Sequence, residues 1–138
     1  MGIEEDRDLD RSLARALLRL ALGLNLLVHG LVRVPALGKF ADGLARDFSA
    51  TIVPAPLAHV FALCLPFAEA AIGLLLILGL WQRMVLSAGT LLMIALVFGT
   101  ALQQHWDILT QQMVYVLLYA ALLATRSWDR WSLDARRR

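Results

Sequence analysis

The chain has 138 residues, 59% of them hydrophobic and 17% charged, with a net charge of only +2. A water-soluble domain this small cannot hide that much apolar surface, and the charges avoid the long apolar runs, as in a membrane protein. The small net charge and the lack of a basic patch interleaved with aromatics argue against nucleic acid as a partner, and the single cysteine, Cys64, excludes an internal disulfide, a CxxC redox pair and a cysteine-rich metal site.

Residues 1–15 place Arg7, Arg11 and Arg15, and likewise Leu9, Leu13 and Leu17, at four-residue steps. This predicts an amphipathic helix running along the membrane surface into the first span, with a solvated charged tail as the alternative. The first span is expected at about 16–33 and must tolerate Arg19, Asn25 and His29. It reads as retained rather than as a cleaved signal peptide, because the acidic stretch IEEDRDLD precedes it and no small-x-small site ends its apolar core. In the 34–56 connection, Leu37, Phe40, Leu44 and Phe48 recur at three- or four-residue steps, with Lys39, Asp42, Arg46 and Asp47 between them. That pattern predicts a short amphipathic helix at the interface, stopped by the prolines of TIVPAP.

The second span is expected at about 57–81, behind Pro56 as a helix-start residue, and the third at 84–102, which carries no charge. A crossing takes about 20 mostly apolar residues. The fourth span, about 111–125, is short by that measure, with Gln111, Gln112 and Arg126 able to snorkel at its ends. With no internal repeat, low-complexity tract or linker, residues 1–138 read as one domain, an all-α integral membrane four-helix bundle with an interfacial helix between spans one and two.

Ten of the thirteen arginines and lysines fall on the side that holds both termini and the 82–83 turn; Arg33, Lys39 and Arg46 fall on the other. The positive-inside bias makes the termini cytoplasmic and the 34–56 and 103–110 connections external. Trp81, Trp128 and Trp131 then lie at the inner interface and Trp106 at the outer one.

Unpaired polar groups are costly in lipid and mark the interior of a bundle. Asn25, His29 and Arg33 form a four-residue stripe on span one; Glu69 sits near the middle of span two, close to Pro66 and Gly73. Thr100 and Gln103 share a face at the outer end of span three, and Gln112, Tyr115 and Tyr119 form a stripe on span four. All map to the outer half. The inner half is expected to hold only Ser87 and Thr90, and Ala95 and Gly99 are the small residues expected to let helices pack closely near the polar groups. A charged carboxylate at the bilayer centre costs about 2.5–3.5 kcal/mol on insertion scales. Glu69 is therefore expected to face inward and pair with His29 or Arg33, or to be protonated. An internal ion pair that only fixes helix register is the plain alternative, and interhelical hydrogen bonding without function is the alternative for Asn25, Thr100 and the tyrosines.

His29, His59 and His105 all map to the outer half or face. His29 with His59 is the one arrangement that would offer axial ligands to a haem. Without a second such pair or a metal-ligand spacing such as HExxH, no metal or haem is expected. No phosphate loop, dinucleotide fingerprint or Ser-His-Asp order is present.

The segment 15–33 reads R-x(3)-R-x-A-L-G-x(5)-HG-x-x-R, followed by GKF at 38–40 and LPFAEAAIGLLLILGLWQR at 65–83. With polar residues ending span three and a short fourth span, this resembles the DoxX family of small four-helix membrane proteins over roughly 13–125. The resemblance implies a bacterial-type inner-membrane protein. Some relatives are quinone-reducing subunits of sulfur-oxidising enzymes, others accompany redox-stress or maturation systems, and many have no assigned reaction. The HG-x-x-R motif falls on His29, Gly30 and Arg33, and the membrane glutamate on Glu69; family members often carry lysine where Arg33 stands. A branch that uses cysteine pairs is closed to a chain with Cys64 alone.

Two functions follow. In the first, the chain is a quinone-linked membrane subunit of an oxidoreductase system. His29 and Glu69 are then the catalytic candidates, relaying protons. Asn25, Arg33, Thr100, Gln103, Gln112 and Tyr115 bind the ligand, and electrons come from a partner protein, since nothing in the chain binds a flavin or iron–sulfur cluster. In the second, the chain is a non-enzymatic scaffold or assembly factor whose contact surfaces are 1–15 and 36–48. A transporter ranks behind both, there being no inverted repeat or broken-helix pair. Homo-oligomerisation is compatible with either.

Overall fold

The computed structural model describes residues 2–137, and among these every regular element is helical. Helix α1 spans Gly2–Arg33, α2 Leu37–Asp47, α3 Ala55–Leu78, α4 Gln82–Leu102 and α5 Trp106–Ala124, with short 3-10 turns at Val34–Ala36, Arg126–Trp128 and Ala135–Arg137. Four of these helical stretches are long and apolar enough to cross a membrane. Large apolar side chains such as Leu17, Leu24, Val32, Val60, Phe67, Leu91 and Leu117 stand exposed around the outside, where a bilayer would cover them.

The expected boundaries shift on all four spans; span two, expected at about 57–81, is the helix Ala55–Leu78. The amphipathic stretch expected to run into the first span is helical, and residues 2–15 show no break from the span itself. From Gly2 onward they continue α1, whose 32 residues run about 48 Å at 1.5 Å per residue, well beyond the roughly 30 Å hydrocarbon core. Helix α4 opens two residues earlier than expected, at Gln82. The fourth span is not short: α5 has 19 residues, because the polar turn from Trp106 to Thr110 is already helical, with Asp107 at the end that favours negative charge. Arg138 lies outside the described residues.

Breaks occur where the backbone rules place them. Pro35 sits in the turn that ends α1, and Pro54 precedes α3 while Pro56 falls in its first turn. Gly79 ends α3 at φ +69° and its N–H reaches back to the Leu75 and Leu76 carbonyls. Trp81, at φ +48°, turns the chain into α4. In α2 the expected face is the buried one: Ala41 and Phe48 are buried, Leu37, Phe40 and Leu44 half-buried, while Lys39, Asp42, Arg46 and Asp47 are exposed.

The bundle is two close pairs, α1 on α3 and α4 on α5, with α2 lying across α3. The core joins them through Leu22, Leu26, Leu76, Leu86, Met93, Tyr119 and Leu122. The tight α1–α3 seam is made of glycine. A Cβ at Gly30 would collide with the Pro66 carbonyl and Ala70, and one at Gly73 with the backbone of Leu27 and Gly23. Small residues allow this approach, which drives helix association in lipid. Ala95 does not play that part, being exposed, and Gly99 plays it elsewhere, making room for the ring of Phe48 at the end of α2. Gly30→Ala is expected to destabilise the protein by about 1–3 kcal/mol, as overpacking does. Gly38→Ala, with open space around it, should change little. Thermal unfolding in detergent, followed by circular dichroism, separates the two.

Candidate functional site

Near the end of the bundle that carries α2, a cavity of about 240 Å³ opens between α1, α3, α4 and α5. Its floor is buried Leu26, Leu65, Glu69 and Met93; at its mouth stand exposed His29, Ile108 and Gln111. The four-residue stripe of α1 brings Asn25, His29 and Arg33 to this one wall. Glu69 faces them from α3, one turn beyond Pro66, and is 6% exposed.

Glu69 takes Arg33 as its partner, at 2.5 Å, rather than His29. The side chain of Glu69 is 8% exposed and that of Arg33 28%, so the pair runs from the buried floor toward the surface. The Arg33 guanidinium also lies over the Phe40 ring, 5.0 Å from its centre, so α2 holds it in place. Across the cavity, Asn25 Nδ2 on α1 donates to the Tyr115 hydroxyl on α5 at 3.1 Å. Gln112 Nε2 donates to Thr100 Oγ1 at 2.9 Å, while Gln112 Oε1 is buried with no donor. A buried amide oxygen left unpaired is costly. His29 stands at the mouth, within the same lining, with no side-chain hydrogen bond among the described residues.

Six of the eight expected site residues thus meet in one place: Asn25, His29, Arg33, Glu69, Gln112 and Tyr115. Thr100 belongs to their hydrogen-bond network but lines a separate, apolar groove, and so does Gln103. Tyr119, expected on the same stripe as Tyr115, sits in the core with no exposed surface, its ring against Gly89. His59 does not share the cavity with His29; its Nε2 lies 3.1 Å from Asp42 Oδ1. Among the described residues no three His, Cys, Asp or Glu side chains gather as metal ligands.

The opposite end of the bundle departs most from expectation. It is not polar-poor. Arg15 and Arg19, expected among the inner surface charges, are 3% and 2% exposed. Arg15 donates to the Leu122 carbonyl at the end of α5 and, at 3.1 Å, to Gln82 Oε1. Its Nε lies 3.9 Å from Asp129. Arg19 donates to the Leu76 carbonyl, to Ile77 O at 2.8 Å and to Trp131 O at 2.8 Å. Two arginines of α1 therefore cap the C-termini of α3 and α5, where the helix dipole favours positive charge. The chain beyond α5 completes the cluster. Asp134 accepts the backbone N–H groups of Trp81 and Gln82 at 3.0 and 2.8 Å, so the N-terminus of α4 is capped by a residue more than fifty positions away. The signal was present: Ser12, Arg15, Arg19, Leu22 and Leu26 follow one helical face, the buried one.

Fold and cavity together define a multi-pass membrane protein of four spans with a polar pocket between them. The DoxX family model matches residues 14–103, and the chain belongs to the DoxX family. The match runs from just before Arg15 to the end of α4, so it takes in the cavity residues of α1, α3 and α4. No curated protein and no solved structure matches the chain.

Proposed function

We propose that this protein is a quinone-linked membrane subunit of an oxidoreductase system, with the cavity at the α2 end as the head-group site. The observation that carries the reading is the convergence of an ion pair, a histidine and an unpaired buried amide oxygen on one cavity between the four membrane-length helices. At about 240 Å³ it falls below the roughly 300–1,000 Å³ of drug-sized pockets, a fit for a small ring rather than a bulky ligand.

A bound quinone supplies two-electron chemistry coupled to proton uptake and release. The residues divide the remaining work. Arg33 keeps N–H groups beyond the one given to Glu69 and orients a carbonyl oxygen. The Tyr115 hydroxyl, accepting from Asn25, is free to donate its own proton. Gln112 Oε1 accepts an O–H. His29 at the mouth holds or passes a proton toward the surface, and Glu69 does so at the floor. The leucines and Met93 exclude water. Electrons come from a partner protein. The same proposal sets the chain in a bacterial-type inner membrane with both termini cytoplasmic. Burial removes Arg15 and Arg19 from the charge count, leaving eight basic residues on the terminal side against three on the other, which still supports that orientation.

The test is to purify the protein in mild detergent, extract it with organic solvent and quantify quinone by mass spectrometry. Stoichiometric quinone is expected in the wild type and its loss in both Glu69→Ala and His29→Ala, with helicity intact by circular dichroism. A wild type without quinone overturns the reading and favours the scaffold that assembles a partner protein.

A further inference from the structure

The polar cavity has an apolar neighbour. A groove of about 310 Å³ runs between α2, α3 and α4, walled by Leu44, Phe48, Leu57, Phe61 and Phe98. Leu96 lines both the groove and the cavity. The hydrogen bond from Gln112 to Thr100 also bridges them, because Gln112 lines the cavity and Thr100 the groove. One ligand chemistry matches two such spaces sharing a wall: a polar ring joined to a single flexible hydrocarbon chain.

We propose that this groove is the binding site for the isoprenoid tail of the quinone whose head group occupies the cavity. The inference rests on the function proposed above and names its substrate class, a prenylated quinone. A branched isoprene chain suits the groove, whose walls are aromatic rings and branched aliphatic side chains on three different helices. The ring of Phe48 bears directly on Gly99, so the α2 side of the groove is held against α4. Ala95 lines the groove with its methyl group exposed to it. The groove has two polar residues, Thr100 and Gln103, and the buried Nε2 of Gln103 has no acceptor among the described residues. Of the two, Thr100 is the one tied to the cavity, through Gln112. Thr100, which the cavity does not include, thereby gains a place at the junction of ring and tail.

The experiment uses the full chain in lipid nanodiscs and two probes, a tail-less benzoquinone and the same ring carrying two isoprene units. The wild type is expected to bind the tailed probe about tenfold more tightly, the scale at which a shaped apolar slot discriminates. Ala95→Phe, which fills the groove from an exposed position, is expected to erase that preference while leaving the tail-less probe's affinity unchanged. Retained binding of the tail-less probe certifies that the variant is folded; Ala95→Leu, a smaller intrusion, should fall between. Equal affinity of both probes for the wild type overturns the tail site and leaves the head-group site standing, with an ordinary lipid acyl chain as the groove's occupant. A tail preference that survives Ala95→Phe overturns it as well. Failure of both probes to bind the wild type overturns the quinone reading itself, and the tail site with it.

Discussion

Arg19→Met is expected to lower the stability of the protein by about 3–5 kcal/mol, the largest effect of any single substitution outside the cavity. The physical reason is the number of groups left behind. Hydrogen bonds to a charged group contribute about 1.5–3 kcal/mol each, and a buried acceptor without a donor costs its full desolvation. Arg19 serves Leu76, Ile77 and Trp131 at once while only 2% exposed, and since the Leu76 carbonyl also takes the Gly79 N–H, the acceptors left bare are those of Ile77 and Trp131. Methionine fills much of the volume but donates nothing. Arg19→Lys should recover only part of the loss, because one ammonium cannot reproduce the planar fork that reaches α3 and the chain after α5 together. Denaturant titration in detergent reads the stability, and limited proteolysis reads whether residues 125–137 come loose. A change within about 0.5 kcal/mol, the size of an ordinary surface substitution, would mean that Arg19 is hydrated rather than buried. Arg7→Met, at an exposed position, supplies that comparison.

The second large effect belongs to the ion pair. Arg33→Met is expected to cost about 2–4 kcal/mol, less than the 3–5 of a fully buried pair broken on one side, because the arginine end is partly exposed. It strands the Glu69 carboxylate at the cavity floor. Glu69→Leu should cost less, since the Arg33 side chain, 28% exposed, can turn its head toward the interface. Combining Arg33→Met with Glu69→Leu should restore most of the stability, as replacing an ion pair by apolar groups often does. The double variant then decides what the glutamate is for. If it is stable but retains no quinone, the carboxylate and guanidinium serve the ligand. If it is stable and binds quinone as the wild type does, they only fix the register of α1 against α3, and the proton-handling role is lost.

Much of this protein was legible because lipid makes sequence patterns loud. Uninterrupted apolar runs mark the spans, and a stripe such as Asn25, His29 and Arg33 has only one affordable direction. The partner of Glu69 was narrowed to two residues by helical depth, and contact geometry chose Arg33. Other features were hidden for definite reasons. Arg15 and Arg19 share the helical face of Leu22 and Leu26, yet their charge is the same whether they face water or backbone carbonyls. Their acceptors are backbone oxygens at helix ends and on the chain beyond α5, which leave no mark in the sequence. Tyr119 follows Tyr115 by one helical turn, yet the slow drift of the helix and the gap at Gly89 carry it into the core. The glycine seam was misplaced because four-residue spacing of small residues recurs on several helices. Only the pairing of α1 with α3 tells Gly23, Gly30 and Gly73 from Ala95 and Gly99.

The chain after α5 has a bearing on how the protein is made. Residues 129–134 leave the ribosome after all four spans, yet they cap α4 and supply an acceptor to Arg19 and a counter-charge to Arg15. Until they arrive, α1 sits in the membrane with two arginines only partly satisfied. The early intermediate is therefore held loosely at the end of the bundle that carries Arg15 and Arg19 and depends on water or lipid phosphate there. Insertion and completion are separate events in this protein, and a fusion or truncation placed at 129–134 would yield chains that are inserted but not finished, the form that membrane quality-control proteases remove.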